Sequence, residues 1–211
     1  MQFDAVIHRL TEGLRGPLPG AAAHALLAPP TRRRWPEGFD LARIRHAAGL
    51  VLVLPIANRP HVVLTLRAAT LGRHGGQVSL PGGAVEPGET FEQAALREAQ
   101  EEVALPAVDT QPIGLLTPLD IPVSGFRLHP VVAWIDRRPD FRPAQGEVSA
   151  VVEVSVEDLL NQQQLTTVER ERDGRRIVVP AFRAGGFEVW GATAMVLAEF
   201  LMLLDWNHQL S

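Results

Sequence analysis

The stretch from residue 81 to residue 105 constrains the fold more strongly than any other part of the sequence. Prolines and glycines recur between residues 81 and 88, which predicts a loop, and Thr90 followed three residues later by Gln93 is a helix capping-box pattern. A helix should therefore begin at Phe91. Four apolar residues then share one stripe of that helix and should pack inward: Phe91, Ala95, Ala99 and Val103.

Three glutamates lie beside that apolar stripe. Glu98, Glu101 and Glu102 are three or four residues apart, where like charges weaken a helix by a few tenths of a kcal/mol per pair, and Arg97 offers partial relief. A divalent cation would remove the repulsion, because Mg²⁺ accepts one or two carboxylates together with water and substrate phosphate. The alternative, an ordinary solvated acidic face, explains neither the glycine-rich lead-in nor the position beside the buried stripe.

The spacing of these charged residues resembles a Nudix box. That segment is the signature of metal-dependent hydrolases that act on nucleoside diphosphates linked to another group. Its matching positions in this chain are Gly83, Glu89, Arg97, Glu98, Glu101 and Glu102. The one departure is Ala104, which stands where the family has a glycine at the helix exit.

The resemblance implies a role for each charged residue. Glu98, Glu102 and Glu101 would hold Mg²⁺ or Mn²⁺, and Glu101 is also a candidate for the catalytic base. Arg97 would orient the glutamates by ion pairing. Glu89 would support them through water or through Arg97.

A second motif lies immediately upstream. Residues 64–83 resemble the motif that marks the coenzyme A pyrophosphatase branch of the Nudix hydrolases. Two positions depart from it, Gly72 and Leu80. Residues 146–151 and 189–193 also look like that branch. The implied reaction is metal-dependent hydrolysis of the diphosphate bond of coenzyme A or a derivative, giving 3′,5′-ADP and 4′-phosphopantetheine or its acyl form.

Two other functions stay open from the sequence. A Nudix hydrolase could act on ADP-ribose, NADH or dinucleoside polyphosphates, and the same fold could serve as a non-catalytic nucleotide-binding module. The complete glutamate set argues against the binding module, since a sensor would not need every metal carboxylate.

Residues outside the helix complete the predicted site. Arg67 and Arg73 could grip phosphate oxygens because a guanidinium matches phosphate geometry bidentately, and His74 could hydrogen-bond to substrate. Glu147 follows a glycine at the entry to a predicted strand and is the other candidate for the general base. We interpret Trp190 as a core residue in preference to one that stacks on a base.

Composition narrows the functional classes. The chain has 211 residues, no cysteine and 20 basic residues, all of them arginine. These counts exclude a thiol nucleophile, a cysteine-ligated zinc site and a Walker-type loop ending in Gly-Lys. A net charge of −4 argues against a surface that coats nucleic acid. No apolar run reaches the ~20 residues of a membrane span, and the first residues lack a signal-peptide pattern. We therefore expect a cytoplasmic protein that binds a small nucleotide, has neither nucleic-acid nor membrane partners, and is of open oligomeric state.

The predicted architecture is an α/β/α sandwich with a mixed β-sheet between helices, formed by a single domain over residues 1–211. Residues 1–45 should form a helix and loop extension. Besides the glutamate helix, helices are predicted at 3–10 and at 192–206, the last one amphipathic. Strands are predicted at 48–56 and 61–67 around a turn at 58–60, then near 111–117, 126–135 and 148–154, with a hairpin of 168–172 and 175–182 around Asp173-Gly174.

Overall fold

The computed structural model describes residues 1–30, 32–69, 76–172 and 174–206. The helices are α1 (Phe3–Gly13), α2 (Ala21–Leu26), α3 (Phe91–Val103), α4 (Val156–Leu160) and α5 (Gly191–Met202). The strands are β1 (Arg45–Ile56), β2 (Arg59–Arg67), β3 (Val78–Ser79), β4 (Gly82–Ala84), β5 (Gln111–Leu115), β6 (Leu119–Ile121), β7 (Phe126–Trp134), β8 (Val148–Ser155), β9 (Leu165–Arg172), β10 (Arg175–Ala184) and β11 (Phe187–Trp190).

The strands form a large mixed sheet and a small antiparallel one. Within the described residues the large sheet has eight strands, with the path β3-β2-β1-β7-β5, while β4 pairs with β1, β6 with β7 and β8 with β2. Strands β1 and β7 run parallel, and the other pairs in this sheet are antiparallel. The small sheet has the order β11-β10-β9, and its hairpin pairs Arg172 with Arg175, as the sequence predicted.

Both faces of the large sheet are covered. Because side chains alternate along a strand, Leu50, Leu52 and Leu54 of β1 pack against α3, whereas Val51 and Val53 join the core that contains α1 and α5. This arrangement confirms the predicted α/β/α sandwich. No helix within the described ranges has the length and apolar character needed to cross a membrane.

The first hairpin turns earlier than predicted. The turn lies at Ala57 and Asn58, and Pro60 already pairs with Pro55 as part of β2. A two-residue hairpin loop of this kind needs positive φ at both central positions, which Ala57 (49°) and Asn58 (61°) adopt. The fixed negative φ of a proline could not meet that need, so the prediction of a turn at 58–60 was wrong.

The last helix also differs from the prediction. It ends at Met202 instead of residue 206, and residues 193–201 are all buried. The helix is therefore enclosed rather than amphipathic, because α2, β6, β10 and β11 surround the part of it that does not face the large sheet. The sequence reading also missed the short elements α2, α4, β3, β4, β6 and β11.

A buried carboxylate joins the N-terminal segment to this helix. Glu199 is fully buried and accepts hydrogen bonds from Gly20 N (3.0 Å), His24 Nε2 (3.0 Å), Thr117 N (3.1 Å) and Thr117 Oγ1 (2.6 Å). Burial alone would raise the pKa of Glu199, but the bonds from His24 and Thr117 outweigh it and the pKa is lowered. The ionised carboxylate thus holds the segment before α2 against the core.

Candidate metal and substrate site

Helix α3 has the start that the sequence predicts. Thr90 Oγ1 accepts a hydrogen bond from Gln93 N at 3.2 Å, and Gln93 Oε1 accepts one from Thr90 N at 2.9 Å, which completes the capping box. The stripe at Ala95, Ala99 and Val103 is fully buried, as predicted. The helix therefore has a fixed start and a fixed rotation against the sheet.

The two inner glutamates lie against the glycines that precede the helix. Glu102 Oε2 accepts a hydrogen bond from Gly82 N at 3.1 Å. The Glu98 carboxylate fills the space in front of Gly83, where an added Cβ would lie 2.4 Å from its atoms. A side chain at residue 83 is thus excluded by the carboxylate itself, which explains the glycine at that position.

Burial raises the pKa of both glutamates. The Glu102 side chain is 8% exposed, and burial raises its pKa to about 7, against the lowering effects of Gly82 N and Arg67. Burial also raises the pKa of Glu98, although Arg97 acts in the opposite direction. The charge of Glu147 contributes to the raised pKa of both carboxyls. Negative charge is therefore concentrated here without full compensation.

Arg97 connects the other predicted acidic residues. Its Nε and Nη2 atoms donate to the two carboxylate oxygens of Glu89 at 2.7 and 3.1 Å, and its Nη1 donates to Glu98 at 3.0 Å. Glu101, 59% exposed, receives a weaker contact from Nη1 at 3.4 Å. A further bond from Nη2 to Ala84 O, at 3.0 Å, fixes the guanidinium. This bonding lowers the pKa of the Glu89 carboxyl, and it fits the orienting role predicted for Arg97.

Arg67 and Glu147 approach the same carboxylates from the sheet. Arg67 Nη1 lies 3.9 Å from Glu102 Oε1, and its buried Nε has no hydrogen-bond partner among the described residues. Glu147 is exposed at the turn before β8, and its carbonyl accepts a hydrogen bond from Ala68 N at 2.8 Å. Chain segments far apart in sequence thus meet beside Glu102. The other two predicted substrate ligands, Arg73 and His74, lie outside the described residues.

The donor set suits a hard divalent cation. Within the described ranges, no three His, Cys, Asp or Glu side chains converge as a preformed metal cluster. Glu98 and Glu101 contact Arg97 instead, and Glu102 bonds to Gly82 N. Mg²⁺ needs only one or two carboxylates, because water and substrate phosphate complete its coordination. The partly buried carboxylates of Glu98 and Glu102 meet that requirement, because in the described part of the chain each has only one oxygen bonded at close range, by Arg97 and by Gly82 N respectively.

One pair of residues near this site escaped the sequence reading. His46 and His129 are 83 residues apart in sequence, yet His46 Nδ1 lies 2.8 Å from His129 Nε2, and the Phe91 ring stacks on His129 at 3.6 Å between centroids. Burial lowers the pKa of His129 to about 4, with further lowering by His46 and Arg127. The two histidines belong to the parallel strands β1 and β7, whose pairing leaves no local signal in the sequence.

Known proteins share both the sequence and the fold. A model of the NUDIX domain matches residues 45–175, more than half of the chain. The chain belongs to the NUDIX family. Two relatives carry the name uncharacterized Nudix hydrolase NudL, one from Cronobacter sakazakii (39% identical) and one from Klebsiella pneumoniae (40% identical). Each aligns over 161 residues, which is 75% of this chain and 82% of the relative.

A crystal structure supports the fold assignment. The MutT/nudix family protein from Enterococcus faecalis matches with a TM-score of 0.52 at 17% identity, covering 82% of this chain and 66% of that protein. Together with the NUDIX match, these similarities identify a Nudix hydrolase, a class that generally requires a divalent metal such as Mg²⁺ or Mn²⁺.

Proposed function

We propose that this Nudix hydrolase cleaves the diphosphate bond of coenzyme A or its derivatives, giving 3′,5′-ADP and 4′-phosphopantetheine or its acyl form. One observation carries the proposal. Two residues of the motif that resembles the coenzyme A branch lie beside the glutamate helix: Arg67 Nη1 is 3.9 Å from Glu102 Oε1, and Gly83 lies against the Glu98 carboxylate.

The arrangement supports a division of roles around a diphosphate. Glu98, Glu102 and the more exposed Glu101 would hold Mg²⁺ or Mn²⁺. When bound, the cation supplies positive charge that stabilises the diphosphate and the charge that develops during cleavage. Arg67 is suited to a phosphate oxygen, because its guanidinium borders the carboxylates and its Nε has no hydrogen-bond partner in the part of the chain that the structure describes. Arg97 would hold Glu98 in position through its bond of 3.0 Å.

Two carboxylates remain candidates for the general base that activates water. Glu147 is exposed at the turn before β8, and its charge contributes to the raised pKa of Glu98 and Glu102, which supports a role for its carboxylate on a water molecule beside them. Glu101 is the second candidate, because it is 59% exposed and only weakly held by Arg97. Arg73 and His74 keep their predicted role as further substrate ligands.

A turnover screen tests this function. The purified protein is assayed with Mg²⁺ or Mn²⁺ on coenzyme A, dephospho-coenzyme A, ADP-ribose, NADH and diadenosine polyphosphates. We expect coenzyme A to be cleaved far better than ADP-ribose, and dephospho-coenzyme A to be a weaker substrate because it lacks the 3′-phosphate. Equal rates on coenzyme A and ADP-ribose would contradict the proposal and favour a less selective Nudix hydrolase. A metal-free sample serves as the control for each substrate.

A further inference from the structure

A cleft of about 610 Å³ lies between the small sheet and the edge strand β3 of the large sheet. Its volume falls within the ~300–1,000 Å³ that small-molecule sites usually occupy. Its side-chain lining consists of Gln77, Val78, Arg170, Phe187, Glu188 and Trp190.

This cleft adjoins the glutamate site through the backbone of Arg67. Arg67 N donates to Gln77 O at 3.0 Å, and Gly76 N donates to Arg67 O at 3.0 Å. Gly76 and Gln77 line the cleft, whereas the Arg67 guanidinium points to Glu102 at 3.9 Å. Val78 pairs with Leu66 and faces the core that contains α5, whereas the side chain of the next residue, Arg67, faces α3. The cleft and the glutamate site therefore lie on opposite faces of the β2–β3 pair, and a substrate whose diphosphate lies beside Arg67 would pass one of its two arms around the edge of that pair to enter the cleft.

The charged groups of the cleft neutralise each other. Arg170 Nη2 bonds to a carboxylate oxygen of Glu188 at 2.7 Å, and the Arg170 guanidinium lies 5.1 Å from the centre of the Trp190 ring. Among the described residues that line the cleft, these two are the only ones with a formal charge. An anionic arm would face a guanidinium that is already paired and a carboxylate that repels it. An uncharged arm meets neither obstacle.

The remaining lining suits a chain that mixes apolar and amide groups. Val78, Phe187 and Trp190 form the apolar wall, with both aromatic rings half-buried. The backbone of Gly186, in the turn between β10 and β11, offers hydrogen-bonding groups to amides. The Trp190 ring is covered by Arg170 and also packs on the apolar cluster around Val179, so its faces are not free for stacking on a base.

We propose that this cleft binds the uncharged, amide-bearing pantetheine arm of the substrate, which rests on the proposed coenzyme A function. The adenosine arm, with its additional phosphate, then extends away from the cleft. The cleft would determine which coenzyme A derivatives are accepted, because the thiol or acyl end of the substrate belongs to the arm that it holds.

Binding of the separate arms tests the proposal without any turnover. Pantetheine and adenosine 3′,5′-bisphosphate are each titrated into the ¹⁵N-labelled protein, and the indole N–H resonance of Trp190, identified with Trp190→Phe, is followed by NMR. We expect pantetheine to shift this resonance and the bisphosphate to leave it in place. A shift caused by the bisphosphate alone, or by neither compound, overturns the proposal.

A pair of variants links the cleft to its occupant. Phe187→Ala removes part of the apolar wall and should raise the dissociation constant of pantetheine by about five- to tenfold. Val178→Ala is the matched control, because Val178 is 52% exposed on β10 and lies outside the cleft. Equal affinity in both variants would contradict the assignment. The turnover screen separates the two proposals: cleavage of coenzyme A without a Trp190 shift overturns the pantetheine subsite alone, whereas a shift without cleavage overturns the proposed reaction alone.

Discussion

Replacing Gly83 by alanine should remove activity while leaving the fold intact. An added Cβ at residue 83 would lie 2.4 Å from the carboxylate carbon and both oxygens of Glu98. The colliding group is the end of a flexible side chain, so Glu98 can yield without any movement of the backbone. Gly82→Ala makes an informative contrast, because its Cβ would lie 2.2 Å from the backbone oxygen of Ala48.

The expected loss of activity in Gly83→Ala follows from how far the Glu98 carboxylate must move. Ordinary contacts begin near 3.4 Å, so the Glu98 carboxylate must retreat by about 1 Å, and a misplacement of that size can lower a rate by about 10²-fold. A strained Glu98 rotamer costs about 0.5–1.5 kcal/mol. Restriction of the unfolded chain by Gly→Ala contributes about 0.4–1 kcal/mol in the opposite direction. The net change in the free energy of unfolding should therefore stay within about 1 kcal/mol.

Urea unfolding and steady-state turnover with saturating metal measure the two quantities separately. Gly16→Ala is the matched control, because its Cβ would meet only Gly13 O at an ordinary 3.6 Å. We expect a stable, inactive Gly83→Ala protein, a destabilised Gly82→Ala protein and an unchanged Gly16→Ala protein. Full activity in Gly83→Ala would refute the assignment of Glu98 as an essential metal ligand.

Four further outcomes are expected. Glu102→Gln should lower turnover by at least ~10²-fold, and it should melt no lower than the parent without metal because it relieves a buried charge; near-full activity would contradict its role as a ligand. Glu147→Gln should lower kcat by ~10²–10⁴-fold with little change in KM, and it should alter the acidic limb of the pH–rate profile. If kcat falls by less than ~10-fold and the profile is unchanged, Glu101 becomes the candidate for the base. Ala104→Gly should stabilise the protein by about 1 kcal/mol in thermal unfolding, because Ala104 has a left-handed φ of 57° at the end of α3, and a lower melting temperature would refute this. The pKa of His129 in the folded protein, about 4, lies below its value in the unfolded chain, so the unfolded chain binds the proton first as the pH falls. The free energy of unfolding should therefore decrease by about 2 kcal/mol between pH 7 and pH 5. Urea titrations of His129→Phe should lack this part of the pH dependence.

Local signals predicted the start and the buried face of helix α3. The capping box of Thr90 and Gln93 and the stripe at Ala95 and Ala99 depend on residues a few positions apart, and the structure shows both as predicted. The left-handed conformation of Ala104 also explains why the family pattern has a glycine there. Information of this kind lies within one or two helical turns, so the sequence displays it directly.

Contacts between segments that are far apart in sequence could not be predicted from local patterns. The approach of Arg67 to Glu102 depends on how β2 packs beside α3, and the pairing of His46 with His129 depends on the register of two parallel strands. The burial of α5 on all sides was not predicted, because it is caused by elements such as α2 and β10. Their positions cannot be inferred from the residues of the helix itself. The charged residues of the site were therefore predictable in identity, but their neighbours were not.

The buried Glu199 has a consequence for the order in which the chain matures during synthesis. Its partner His24 is made 175 residues earlier, which corresponds to roughly 10–35 s of translation at ~5–20 residues per second. Throughout that interval the amide of Gly20 and the imidazole of His24 lack the Glu199 carboxylate to which they bond in the folded protein. We therefore expect helix α2 to wait on the ribosome, exposed to chaperones and proteases, until the last helix emerges and gives it a surface to dock on.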